Sequence, residues 1–279
     1  MSGQRLLLHS VRLSDREEIC DVLIEEGVIL AVDSSIQAED ARRVPCGGNL
    51  LLPAFIDCHT HLDKACMETP REAEGLMDAV RLTAEYQKSL PKQDIFNDVL
   101  RRGACVLDME LRHGTGLVRS HVSVDEIWGM EAFYASCALK KEFASRVDLQ
   151  LSVPFCGRYA DAWDEAARAG EIDYIAGYPS VMPNPLAAVD ELFQLAERYS
   201  LPLDLHVDES DQGDISCFVH VLHKTLETGW AGRVNCSHVT ALSAADQREA
   251  EEAVALCEKA KVSVIALPSC NMYLMGRSD

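Results

Sequence analysis

The chain has 279 residues, of which 48% are hydrophobic and 25% charged, a balance typical of a globular protein with one large domain or slightly more. The formal net charge of −19 disfavours nucleic-acid backbones and anionic membranes as partners, and no apolar run reaches membrane-spanning length. The eleven cysteines form no CxxC pair and no secretory signal pattern opens the chain, so we expect reduced thiols and a cytoplasmic location.

The first fifty residues are predicted to form short β-strands. Residues 5–9, 21–25 and 28–32 have strand character, and Glu26-Gly27 between the last two is typical of a tight hairpin turn. Gly47-Gly48 then interrupts the chain before a new apolar run. We therefore predict an N-terminal β-structured portion over residues 1–50 and a second domain over residues 51–279.

Two histidines end the apolar run that follows, LLPAFIDCHTH at residues 51–61. Successive side chains of a β-strand alternate faces, so His59 and His61 are expected to point the same way. Imidazole is a good ligand for zinc and for iron, so the pair is suited to half of a metal site. The alternative is a surface strand end that carries two solvated histidines.

After Lys64, apolar runs alternate with amphipathic ones, which indicates a parallel sheet with helical connections. His61, His206 and His238 each lie where a predicted strand ends, as the chemistry of a (β/α)₈ barrel does. An open doubly wound sheet would carry a glycine-rich loop after its first strand, and this sequence has none. The strands are predicted at residues 51–57, 117–124, 149–155, 174–178, 201–207, 233–239 and 262–268, and the helices at residues 76–90, 94–113, 132–143, 161–169, 185–199, 215–228 and 243–261, the last with Ser243 as its cap.

Polar residues follow the fifth predicted strand in the segment LDLHVDES. His206 can join His59 and His61 on one metal ion. Glu209, three residues further on, can take a proton from an activated water and return it to a leaving nitrogen. The alternative role for Asp208 and Glu209 is to cap the following helix, and for Asp208 we favour it.

Three segments resemble the amidohydrolase superfamily. PAFIDCHTHLDK at residues 53–64 is similar to the first-strand signature PGxxDxHxH, and its HLDK extension resembles the cytosine deaminase branch. HVDE at residues 206–209 resembles an HxxE pattern, and SHVTA at residues 237–241 resembles an SHxTA motif whose histidine orients the attacking hydroxide. The resemblance implies a hydrolase barrel with one divalent metal ion, zinc or iron, and with Glu209 and His238 as catalytic residues.

Weaker similarities point to further residues. His121 lies in a segment that resembles RTHVD and is predicted to lie behind the metal ligands, as is Asp63 of the signature segment. The alternative for His121 is a buried, hydrogen-bonded histidine without a chemical role. LPSCNMYLMGRSD at the end of the chain resembles the loop after the seventh barrel strand, which implies substrate contacts from Asn271 and Arg277.

Two departures from the family pattern limit the assignment. Bacterial cytosine deaminases carry PQEG after the third strand, where this chain has PFCGR, with Cys156 or Gly157 near the place of the glutamine. Cys156 is the candidate substrate contact there, and because a thiol cannot make the two hydrogen bonds of an amide, cytosine is not the expected substrate. The family's eighth strand supplies an aspartate, and Asp279 precedes any such strand.

We therefore expect an α/β fold, an incomplete (β/α)₈ TIM-type barrel of the metal-dependent hydrolase kind, with seven strands. The resemblance implies that residues 1–50 are part of a small β-sandwich whose C-terminal part is missing. A fragment, a truncated product and a barrel closed by another chain all agree with this expectation.

The predicted function is metal-dependent hydrolysis of non-peptide carbon–nitrogen bonds, with deamination of an amino-substituted nitrogen heterocycle favoured. A cyclic amide or N-acyl amidohydrolase is the alternative among enzymes, and a catalytically inactive metal-binding remnant is the alternative of another class. The expected partner is a small heterocycle or amide, with no nucleic acid and no membrane. The sequence leaves open the substrate, the choice between zinc and iron, and whether the protein is a homo-oligomer.

Overall fold

The computed structural model describes residues 5–275, and the chain divides between Ala54 and Phe55 into two compact units. The first unit is a five-stranded sheet in which the strands run in the order β3-β2-β1-β4, with β5 also paired to β1. The first three strands pair antiparallel, whereas β4 and β5 lie parallel to β1. The strands are β1 (Arg5–Leu13), β2 (Ile19–Glu25), β3 (Val28–Asp33), β4 (Arg42–Pro45) and β5 (Leu50–Leu51).

The hairpin between β2 and β3 turns at Glu26 and Gly27, as predicted. Both residues have positive φ angles, +49° and +80°, which is the backbone of the two-residue turn that matches the twist of paired strands. A small cluster of buried side chains, Val11, Cys20 and Val22, forms the interior of this unit.

The second unit contains seven parallel strands that pair in chain order, which confirms the predicted seven-stranded α/β barrel. The predicted start of its first strand is wrong, because residues 50–51 pair with β1 in the first unit and the barrel strand begins only at Phe55. The strands are β6 (Phe55–Thr60), β7 (Thr115–His121), β8 (Asp148–Pro154), β9 (Tyr174–Gly177), β10 (Leu203–Val207), β11 (Val234–His238) and β12 (Ser263–Ile265).

Helices connect these strands, and among the described residues none is long and apolar enough to span a membrane. The predicted cap Ser243 is wrong. Residues Thr240–Ser243 form a separate 3₁₀ turn, and Asp246 caps the next helix by accepting from the N–H groups of Arg248 and Glu249. The helices are α1 (Leu76–Ser89), α2 (Ile95–Arg112), α3 (Glu131–Phe143), α4 (Ala160–Arg168), α5 (Pro185–Tyr199), α6 (Ser216–Thr228), α7 (Gln247–Ala260) and α8 (Pro268–Leu274).

The segment after the last strand also differs from the prediction. The strand β12 is only three residues long, and the residues predicted to form a loop begin instead with the short helix α8. Pro268 occupies the first turn of that helix, where its missing N–H group costs no hydrogen bond.

The alternation of side chains along β10 places polar groups inside the barrel. Leu203, Leu205 and Val207 are fully buried in the main hydrophobic cluster of the unit. Burying each such side chain stabilises the fold by about 1.5–3 kcal/mol, so these residues fix which face of the strand meets the helices. The residues between them, Asp204 and His206, must therefore point to the barrel interior.

Candidate functional site

Five histidines converge at the carboxyl ends of the barrel strands. His59 lies in β6 and His61 directly after it, while His121, His206 and His238 lie at or near the ends of β7, β10 and β11. The ring centroids of His59 and His121 are 4.4 Å apart, those of His121 and His206 are 4.4 Å apart, and those of His206 and His238 are 5.1 Å apart. Strands that are far apart in the chain thus bring all five imidazoles into one cluster.

Three of these imidazoles form a set with the spacing of metal ligands. One nitrogen from each of His59, His121 and His206 can be chosen so that all three atoms lie within 4.8 Å of one another. His61, which the sequence analysis placed in this set, has its Nε2 atom 3.2 Å from Nε2 of His206. The structure therefore brings His121, predicted to lie behind the ligands, into the same cluster as His61, and both ring centroids lie within 5.2 Å of those of His59 and His206.

Burial keeps imidazoles of the cluster uncharged, a state that suits a bound cation. Burial, helped by the neighbouring imidazoles, lowers the pKa of His59 to about 2 and the pKa values of His61 and His206 well below the ordinary range. Neutral imidazoles keep a free lone pair, and Nε2 of His59 and Nδ1 of His206 are buried with no hydrogen-bond partner among the described residues. Buried imidazole nitrogens that carry no proton and have no hydrogen-bond partner are suited to bind a divalent metal ion.

The other ring nitrogen of His59 has a fixed partner. Its Nδ1 atom lies 2.8 Å from Oγ of Ser237, a residue of β11. If this nitrogen carries the proton and donates to the hydroxyl, Nε2 is left as the free donor atom. An outer partner of this kind sets both the tautomer and the orientation of a metal-binding imidazole.

A carboxylate and an imidazole form a pair beside the cluster. Oε1 of Glu209 lies 3.2 Å from Nδ1 of His238, and Oδ1 of Asn271 in α8 lies 3.2 Å from the same nitrogen. Burial raises the pKa of Glu209 to about 7, and burial also lowers the pKa of His238. Near neutral pH Glu209 can thus both accept and donate a proton, which is what a general acid–base group requires.

The backbone turns sharply where these residues lie. Asp208 has a φ angle of +47°, and His238 and Val239 have φ angles of +71° and +50°. Non-glycine residues rarely adopt this region, and their strain is characteristic of functional sites. Asp208 is held by Ser180, whose hydroxyl donates to its Oδ1 at 2.7 Å, and by the backbone N–H of Phe218 in the first turn of α6, which donates to Oδ2 at 2.8 Å. Asp208 therefore caps a helix, as the sequence indicated.

Curated relatives of the chain are hydrolytic enzymes, although no family model matches it. The chain is 27% identical over 270 residues to a pterin deaminase of Rhizobium rhizogenes, covering 92% of this chain and 60% of that protein. It is 26% identical over 266 residues to an N-isopropylammelide isopropyl amidohydrolase of Pseudomonas sp., covering 90% of this chain and 65% of that protein. The chain thus spans somewhat less than two thirds of the length of these relatives.

Solved structures share the fold. A 5-methylcytosine deaminase of Klebsiella pneumoniae liganded with 5-fluorocytosine superposes with a TM-score of 0.85 at 24% identity, over 98% of this chain and 68% of that one. An N-isopropylammelide isopropylaminohydrolase of Burkholderia multivorans superposes with a TM-score of 0.79 at 26% identity, over 98% of this chain and 73% of that one. These relatives and structures point to the amidohydrolase superfamily, which the sequence motifs also resemble.

Asp63, which follows the first pair of histidines, is fully buried and holds a neighbouring loop. Its Oδ2 atom accepts the backbone N–H of Ser123 at 2.8 Å. The buried guanidinium of Arg102 donates to the backbone carbonyls of Asp63 and Ala65 and to the carboxylate of Asp98. The Asp63 carboxylate therefore bonds to backbone and its carbonyl bonds to Arg102, and both contacts fix the chain directly after the first pair of histidines.

The predicted substrate contacts lie at the same end of the barrel as the histidines. Cys156 is half-buried and follows β8, before the 3₁₀ turn Gly157–Tyr159. Asn271 contacts His238 as described above. Arg277 lies outside the described residues. Which of these groups meets a substrate stays a prediction.

Two charged residues inside the barrel were missed by the sequence analysis. Asp204 and Arg119 lie on β10 and β7, two residues before His206 and His121. Oδ2 of Asp204 lies 3.2 Å from Nε2 of His121 and 3.7 Å from Nη1 of Arg119. The signal was present in the sequence, because a spacing of two along a strand places each charged residue on the same face as the histidine that follows.

Proposed function

We propose that the protein hydrolyses a non-peptide carbon–nitrogen bond, and that it removes an amino group from a nitrogen heterocycle. The observation that carries the proposal is the pair of Glu209 and His238, with its 3.2 Å contact, beside a cluster of buried neutral imidazoles. The names of the relatives support it, since these proteins are named for pterin, N-isopropylammelide and 5-methylcytosine.

The histidine cluster would hold one divalent metal ion, either zinc or iron. His59 and His206 belong both to the predicted ligand set and to the set favoured by the geometry, and the third ligand is either His61 or His121. A divalent ion on such ligands lowers the pKa of water toward neutrality and so supplies a nucleophile at physiological pH.

The remaining steps belong to the side chains. Glu209, with its pKa near 7, takes a proton from the attacking water as oxygen bonds to the ring carbon. It then returns the proton to the nitrogen, so that the carbon–nitrogen bond breaks and ammonia or an amine leaves. His238, beside Glu209 and held by Asn271, donates a hydrogen bond that orients the nucleophile.

Cytosine is not the substrate that we propose. The position after β8 carries the thiol of Cys156, which cannot make the paired hydrogen bonds of a carboxamide. Hydrolysis of a cyclic or N-acyl amide on the same scaffold is the second candidate, and the relative named as an amidohydrolase favours it. Both reactions need the same nucleophile and the same proton carrier.

The test is the variant Glu209→Gln, which keeps the shape of the side chain and removes its proton transfer. Ammonia or amine release from amino-substituted pterins and triazines should fall by about 10²–10⁴-fold, whereas bound metal and the circular dichroism spectrum should not change. A variant with near-parental turnover would show that Glu209 is not the proton carrier. A parent that binds metal stoichiometrically without turning over any of these compounds would favour the inactive remnant.

A further inference from the structure

The charged pair beneath the histidines lies across the interior of the barrel. Asp204 is on β10 and Arg119 on β7, two strands that are separated in the sheet by β8 and β9. Asp204 is fully buried, and only 13% of the Arg119 side chain is exposed. Each residue precedes a histidine of the cluster by two positions, so the pair forms a layer directly below the imidazoles.

Arg119 interacts mainly with groups other than Asp204. Its Nη2 atom donates to the hydroxyl of Tyr174 at 2.7 Å, its Nε atom donates to Oε1 of Gln150 at 3.2 Å, and its guanidinium lies 3.8 Å from the centre of the Tyr174 ring. The contact with Asp204, at 3.7 Å, is longer than a hydrogen bond. Tyr174 and Gln150 thus hold the guanidinium away from full pairing with the carboxylate.

Asp204 consequently lacks the partners that a buried carboxylate needs. Neither of its oxygens has a hydrogen bond among the described residues. A buried, unpaired carboxylate is costly unless a cation or a proton donor compensates it. Its nearest donor is Nε2 of His121, at 3.2 Å but not aligned as a hydrogen bond in this structure.

We infer that Asp204 is a positioning residue for the metal site: it takes the Nε2–H of His121 and offsets the charge of a bound divalent ion. Three neutral imidazoles bring no negative charge to a dication, and Asp204 lies 3.2 Å from one of them, His121. A proton fixed on Nε2 leaves Nδ1 of His121 as the nitrogen with a free lone pair. This inference rests on the metal site of the proposed function.

The rival interpretation is a purely structural ion pair between Asp204 and Arg119. It predicts that removing either charge destabilises the fold and leaves the metal affinity of the folded protein unchanged. The positioning role predicts effects of opposite sign, because the carboxylate attracts a cation in the cluster and the guanidinium repels it.

The experiment measures the zinc affinity of metal-free protein by competition with a chromophoric chelator. Asp204→Asn should weaken zinc binding about 10–100-fold. Arg119→Gln should tighten it, on the order of tenfold. Asp208→Asn is the matched control, since Asp208 is also a buried acid at the end of β10 but bonds to Ser180 and Phe218 and not to a histidine. Its zinc affinity should equal that of the parent.

Thermal unfolding of the metal-free variants separates folding from binding. If Asp204→Asn does not fold, the sign of the Arg119→Gln effect decides the question alone. Unchanged zinc affinity in both variants, or weaker binding in both, would overturn the inference while leaving the metal site in place. If the parent binds no zinc, or His206→Ala binds it as well as the parent does, the metal site itself is refuted and the inference with it.

Discussion

At the scale of single residues, burial drives two neighbours toward the same uncharged state. It raises the pKa of Glu209 to about 7 and lowers the pKa of His238, although the two side chains are only 3.2 Å apart. A carboxyl group that titrates near neutral pH beside an uncharged imidazole suits proton transfer better than a fixed salt bridge would.

The raised pKa of Glu209 predicts a pH-dependent stability. Between its ordinary value of 4.5 and about 7 the native state binds more protons than the unfolded state, so stability falls as pH rises through this window. From pH 5.5 to pH 8 the metal-free parent should lose about 2 kcal/mol relative to Glu209→Gln, which cannot titrate. Urea unfolding of both proteins at the two pH values measures this difference. If the difference in unfolding free energy between the parent and Glu209→Gln is the same at both pH values, the pKa of Glu209 is not raised.

The residues of the site differ in how far the sequence could predict them. His59, His206, Glu209 and His238 carried local patterns, a spacing of two or a motif at a strand end, and the structure gathers them at one place. The contact of His121 with His59 and His206 could not be predicted from any one segment, because it depends on side-chain packing across the barrel.

At the scale of secondary-structure elements, the sequence predicted the ends of a helix correctly where residues next to those ends determine them. The helix α5 begins at Pro185 and ends at Tyr199, as predicted, because proline fixes its first turn and Ser200 takes a left-handed conformation after its last. The start of β6 and the helix α8 were not predicted, because pairing with β1 and packing after a very short strand decided them.

The N-terminus of α7 offers a test at this scale. Asp246 accepts two backbone N–H groups there, so Asp246→Ala should destabilise the protein by about 1 kcal/mol, as loss of an N-cap typically does. Ser243→Ala is the matched control, since the hydroxyl of Ser243 is exposed and donates only to the carbonyl of Thr240. Urea unfolding compares the two variants. Equal losses of stability would contradict the assignment of the cap to Asp246.

At the scale of the whole molecule, charge opposes self-association. The net charge is −19 at pH 7 and the isoelectric point is about 4.8. The strand β3, at one edge of the N-terminal sheet, exposes Val28, Ile29 and Leu30, and apolar edge strands are prone to pair with other chains. Mutual repulsion between copies counteracts this tendency at neutral pH.

Light scattering should therefore rise as pH falls from 7 toward 5, because the repulsion disappears near the isoelectric point. At neutral pH, added salt should also increase scattering, since the screening length shortens to about 3 Å at 1 M. Scattering that depends on neither pH nor salt would mean that charge does not control association.

The alternation along β10 also limits how this protein can diverge. The strand places Leu203, Leu205 and Val207 toward the helices and Asp204 and His206 toward the barrel interior. A substitution in β10 changes one side chain on one face of the strand. Inserting or deleting a single residue would instead move every following side chain of the strand to the opposite face. Descendants that keep the chemistry must therefore keep the spacing in this strand, and length changes are confined to the connecting loops.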